Sequence, residues 1–150
     1  MEKIPVQDDG EMISSMCFLH DGSLLLCREV MGITPSDIAQ IALERWSSIG
    51  ELLHSEEIRS RSVCLVADGT GAISGHFDGA VIKLSEDLSQ QPLWKSMYTI
   101  NDLRRHGEDL LVASWFYCIE SMQMVKKFGD VNIRVWSNQL YRIKMGHESH

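Results

Sequence analysis

Cys17, His20, Asp21 and Cys27 fall within one short stretch, and soft and borderline ligands this close together are the raw material of a metal site. Alternation along a strand sends Cys17 and His20 to opposite faces, and no second ligand pair at matching spacing accompanies them, so no metal is expected. Cys64 or Cys118 with His76 or His106 has the residue types of a thiol nucleophile and its base. Yet Cys64 stands between Val63 and Leu65, and Cys118 between Tyr117 and Ile119, which is the setting of a small buried apolar group. Gly69-Thr70-Gly71 with Gly75 suggests an anion-cradling loop, but the dinucleotide fingerprint places its third glycine three residues after the second and then opens a helix, whereas Phe77-Asp78-Gly79 begins another turn. Asp21, Asp68, Asp78 and Asp109 have general acid or base chemistry and also stand where turns form, which is the ordinary use of aspartate. No catalytic set emerges from these residues, and no cofactor is expected.

Binding chemistry is better represented. Trp94, Tyr98, Trp115, Phe116, Tyr117, Trp136 and Tyr141 crowd the C-terminal part of the chain, and Trp115-Phe116-Tyr117 on a strand puts neighbours on opposite faces. Net charge is −7, the wrong sign for neutralising a phosphate backbone, so direct nucleic-acid binding is not expected. Acidic groups beside aromatic anchors suit a basic protein partner, and Asp21, Glu108, Asp109 and Trp115 are the expected contact residues. The first ten residues have neither the basic start nor the apolar stretch of a secretion signal, and no apolar run approaches a bilayer span. With four cysteines inside apolar runs and no Cys-x-x-Cys pair, the expectation is a cytoplasmic protein with reduced thiols and no membrane contact.

The positioning elements read as mostly antiparallel strands. Apolar runs break at glycine turns and resume in Ile13–Arg28, Val63–Gly75 and Ile100–Glu120, with His20-Asp21-Gly22 the clearest of the turns. Val63–Ala67, Ala72–His76 and Ala80–Leu84 read as a three-strand meander, and 86–92 as a polar loop. Ser96–Leu103 and Leu110–Ile119 read as two strands about the 106–109 turn, and Val131–Trp136 with Leu140–Lys144 as an edge hairpin turning at Ser137-Asn138-Gln139. Thr34-Pro35-Ser36-Asp37 carries helix-start residues, and Ile38, Ile41, Ala42, Ile49, Leu52 and Leu53 follow at three- and four-residue spacing, predicting a helix to about His54 with a polar connector to Ser62.

The expected fold is therefore α+β and mainly antiparallel β, one domain over residues 1–150: a twisted meander of about seven strands with one long amphipathic helix, residues 35–54, across a face. The turns at Gly22, Gly69 and Gly107 also recur with a spacing that resembles the blade repeat of β-propellers over about half of the chain. The repeat carries no Trp-Asp or Gly-His signature, and three blades would need self-assembly to close a ring, which makes a homo-oligomer one reading. The functional expectation is a non-enzymatic protein-binding domain, most concretely an immunity or antitoxin-type inhibitor masking a basic toxin or nuclease. Two alternatives come from other classes: a small-molecule sensor, since the order of strands and helix resembles PAS-like folds, and a small hydrolase whose catalytic groups meet only in space.

Overall fold

The computed structural model describes residues 11–30, 40–117 and 136–145. Among these residues eleven strands form three antiparallel sheets, and there is no helix. The first sheet holds β1 (Glu11–Phe18), β2 (Leu24–Val30), β3 (Gln40–Trp46) and β4 (Leu52–Ile58), in chain order. The second holds β5 (Ser62–Asp68), β6 (Gly71–His76), β7 (Ala80–Leu84) and β8 (Gln90–Lys95), again in order. The third runs β11-β10-β9, with β9 Thr99–His106, β10 Asp109–Tyr117 and β11 Trp136–Lys144.

The sheets stack face to face, with the opening strand of each, β1, β5 and β9, beside the next. This is how consecutive blades of a β-propeller are arranged, so the spacing of Gly22, Gly69 and Gly107 marks one turn per sheet rather than three hairpins of one sheet. Two cores result. Leu25, Cys27 and Leu43 of the first sheet pack on Ala72 and Leu84 of the second, with Leu19, Ile58 and Leu88 completing the cluster. Ile73 and Val81, on the opposite side of the second sheet, meet Ile100, Leu103, Leu110 and Val112 of the third.

The expected helix over 35–54 is replaced by β3, a turn and β4. Cross-strand partners share a face, so Cys27 faces the second sheet with its partner Leu43, while Arg28 and its partner Ala42 face away. Along β3, Ile41 and Leu43 point inward and Ala42 and Glu44 outward, a period of two that the three- and four-residue spacing of the same residues obscured. Ile49, assigned to the apolar stripe, is 79% exposed at the turn before Gly50, whose φ is +86°. Thr34–Asp37 and Ile38 lie outside the described residues. The single sheet is likewise corrected to three, because β4 and β8 end their sheets as edges.

Two local assignments also change. The expected loop 86–92 reaches into β8, where Pro92 is tolerated because that edge needs no further amide donor. Ser137-Asn138-Gln139 is not a turn but the interior of β11, paired residue for residue with Phe116, Trp115 and Ser114, and Val131–Val135 lies outside the described residues. The meander β5-β6-β7 and the turn between β9 and β10 follow the sequence reading.

Polar contacts close the seams between sheets. Between the first two, Glu29 takes a forked pair of hydrogen bonds from Arg61, at 2.7 and 3.2 Å, near the rim where β1 and β5 begin. At the opposite rim Arg45 donates to the Glu86 carbonyl at 2.8 Å while also pairing with Asp21. Between the second and third sheets Asp68 and Arg105 sit 3.1 Å apart with side chains only 5% and 8% exposed. Hydroxyls line the middle, Ser15 donating to Ser62 at 3.0 Å and Ser62 lying 2.7 Å from Ser74.

Gly75 shows how close the second seam is. A Cβ there would come within 2.4 Å of Ile100 and 2.7 Å of the Cys64 sulfur. Gly75→Ala is therefore expected to cost about 1–3 kcal/mol by overpacking. Asp68→Ala, which takes a buried carboxylate away from the Arg105 guanidinium, should cost roughly 3–5 kcal/mol. Urea unfolding of both variants checks these values, and a loss under half a kcal/mol for Asp68→Ala would show that the pair does not join the sheets.

Candidate functional site

Strand direction divides the molecule into two rims. The turns from β1 to β2, β5 to β6 and β9 to β10 lie at one, and the starts of β1, β5 and β9 with the end of β10 at the other. Asp21, Glu108 and Asp109 belong to the turn rim. Trp115 is six residues along β10 from Asp109, roughly 20 Å at the rise of a strand, so the four expected contact residues do not form one surface.

The acids of the turn rim are occupied within the chain. Asp21 caps its own turn through Ser23, whose amide donates at 2.9 Å, and pairs with Arg45; these bonds, led by the Ser23 hydroxyl, hold its pKa down to about 2. Asp109 lies 3.1 Å from the Lys144 ammonium and 3.3 Å from the Arg142 guanidinium. Carboxylates already balanced by neighbouring cations offer a basic partner little unmatched charge.

Trp115 instead lines an open hollow of about 390 Å³ where the first strands converge, together with Met12, Ser14, Arg61, Val63 and Phe77. Phe77, in the turn after β6, is 57% exposed, and the Arg61 guanidinium lies 5.8 Å from its ring centre. The turn is rigid. Gly79 has φ of +93°, a Cβ there would meet the Ser96 carbonyl oxygen at 2.2 Å, and Thr99 donates to the Phe77 carbonyl at 2.8 Å. Glu29 fixes the other side of Arg61, so an exposed aromatic ring and a guanidinium are held in place beside an apolar pit. Of the expected contact residues only Trp115 lines this hollow; Arg61, just before β5, and Phe77, just after β6, were not singled out, since they are 16 residues apart and share no local spacing, and Phe77 beside Asp78-Gly79, an aromatic next to a tight turn, was the one available signal.

A second hollow, of about 280 Å³, opens in the seam between β4 and the second sheet and is lined by Glu57, Ser60, His76, Asp78 and Gln90 among others. His76 is 2% exposed, and its Nδ1 lies 2.8 Å from the Ser60 carbonyl. A carbonyl only accepts, so Nδ1 carries the proton, and Nε2 is an acceptor with no hydrogen-bond partner among the described residues. Burial pushes the His76 pKa below its ordinary value, against the opposing pull of the Ser60 bond, and keeps the ring neutral.

Cys64 and His76, one of the thiol and imidazole pairings considered from sequence, do not come together. Cys64 pairs with Gly75 and packs toward the third sheet, whereas His76 pairs with Ser62 on the other face. Burial raises the Cys64 thiol to about 12 and the Cys17 thiol to about 11, the opposite of activation. Cys118 lies outside the described residues. Among the described residues no three His, Cys, Asp or Glu side chains group as a metal site, and no helix is long and apolar enough to cross a membrane. No protein-family model matches the chain, and neither does any curated protein.

His76 makes a pH prediction. The unfolded chain takes up the proton near 6.5, but the folded chain resists until a lower pH, so stability is full above 6.5 and declines as pH falls through it. The expected slope is at most about 1.4 kcal/mol per pH unit. His76→Asn keeps a donor for the Ser60 carbonyl without the titration and should flatten this part of a denaturation series between pH 7 and 5; an unchanged slope would place its origin elsewhere.

Proposed function

We propose that this chain is a non-enzymatic protein-binding domain, and that it seats an apolar side chain of its partner in the hollow between Met12, Val63, Phe77 and Trp115. The observation that carries this reading is the exposed Phe77 ring, fixed beside an open apolar pit by Gly79, Thr99 and Arg61. Rigid aromatic groups around a pit supply binding energy at little cost in ordering, which is why such residues dominate interfaces. The stack of meanders suits that role, since its opening strands bring side chains from three sheets to one rim.

The narrower reading, an inhibitor of a basic toxin or nuclease, draws on the charge of −7 and on the acidic edge strand β4, where Glu56 and Glu57 are exposed. It places the partner's basic groups along β4 and its apolar anchor in the hollow. The PAS-like alternative loses its structural basis, because the helix on which that strand order depended is β3 and β4.

Affinity capture from the native lysate, identified by mass spectrometry and repeated with purified components, tests the reading. Phe77→Ala with Trp115→Ala is expected to weaken the complex at least tenfold, and Asp21→Asn with Glu108→Gln to leave it within about twofold. The reverse pattern would move the interface to the turn rim. Weakening by salt, together with loss on Glu56→Gln and Glu57→Gln, is expected if the partner is basic.

A further inference from the structure

The stack is directional. At both internal seams one sheet presents the face lying toward the chain's C-terminal side and the next sheet presents the opposite face. The outer faces of the first and third sheets are therefore the same two kinds of face, left without a described partner. On the first sheet the outer rows include Phe18, Leu24, Trp46 and Leu52 at the turn rim and Met16 above them, beside Leu26, which its neighbours bury completely. Phe18 is 72% exposed and Met16 66%. On the third sheet Leu111 and Ala113 lie on the outer face with Leu140, which is 73% exposed.

The charges on these faces are opposite in balance. The outer face of the first sheet sets Glu11, Glu44 and Glu57 against Arg28 alone, with Arg28 bonded to Glu11 and Glu44 beside a hollow of about 300 Å³ that Glu57 also lines. That of the third sets Arg104, Arg142 and Lys144 against Asp102 and Asp109. Arg142 and Glu44 occupy the same rank, the third strand of their sheet and the second row from the turn rim.

We propose that two copies of this chain pack head to tail, the outer face of each third sheet on the outer face of the other copy's first sheet, forming a closed ring of six sheets. Closure follows from counting. Sheets stacked in this way close as propellers at about four to eight blades, and with the three described sheets of each chain only two copies fall in that range. A head-to-tail contact that failed to close would grow into fibres instead.

Sedimentation equilibrium of the 150-residue protein should give twice the chain mass of 17.0 kDa, and the pair should weaken as salt rises. Phe18→Asp and Leu140→Asp each spoil both junctions of a ring and should each yield monomers. Both side chains are exposed and neither lines the Phe77 hollow, so the fold and the partner site stay intact, with circular dichroism and partner capture as the controls. Mixing the two variants restores one native junction while the other carries both changes, so native mass spectrometry should find the mixed pair. A wild-type monomer at every concentration overturns the proposal, as do open-ended assemblies or a mixture that stays monomeric. If only one variant dissociates the pair, the contact joins like faces and the head-to-tail arrangement is wrong.

Discussion

The second strand of the middle sheet has no face for water, and the rest of the structure follows from that. Ala72 and Ile73 are consecutive on β6, point in opposite directions, and are both fully buried. Every residue of Gly71–His76 is buried, so this strand must be small or apolar on both sides and must satisfy whatever polar atoms it carries. Its composition, Gly-Ala-Ile-Ser-Gly-His, answers most of that demand: two glycines where neighbours press closest, two apolar residues for two cores, a serine bonded to Ser62, and a histidine bonded through Nδ1 to the Ser60 carbonyl. A strand of larger residues would hold the outer sheets apart, and the ion pairs at the rims would no longer reach.

The seams divide their work between apolar and polar contacts. Leucine, isoleucine and valine fill the middle of each seam, and charged groups close the rims, Glu29 with Arg61 at one and Arg45 with the Glu86 carbonyl at the other. Burial makes such bonds demanding of geometry, since a misplaced sheet would leave a charge desolvated without a partner. The rim contacts thereby select the relative placement of sheets that a purely apolar seam would leave free to slide. The same division builds the Phe77 hollow, because Arg61 is drawn to Glu29 by the seam and carries its guanidinium beside the aromatic ring.

Much of the strand content was legible in the chain, and the largest error shows what was not. Gly22, Gly69, Gly79 and Gly107 all take positive φ, so the turns inferred from Asp-Gly and His-Gly pairs stand where expected. The expected helix over residues 35–54 rested on Ile41, Ala42, Leu52 and Leu53 recurring at helical intervals. Alternation was present in β3, but its inward row ends in Arg45, and the β4 residues paired with that row, His54 and Glu56, are polar and exposed, so that face did not look apolar. A seam that needs polar closure erases the hydrophobic signal of the strands that provide it. The hollow was illegible for a different reason: Met12, Arg61, Phe77 and Trp115 come from all three sheets, and only stacking places them together.

Each sheet is built from strands adjacent in sequence, and among the described residues the second sheet shares a core with each of the others. That connectivity makes the molecule nearly one-dimensional, like a short repeat array in which stability is a sum of units and the junctions between them. Hairpins form between neighbours before any long loop must close, so early folding is inexpensive in chain entropy. The terminal sheets each hold one described junction and the middle sheet two, so thermal fluctuation is graded along the chain: the ends open at lower free energy than β6, whose amides exchange only when the whole array comes apart.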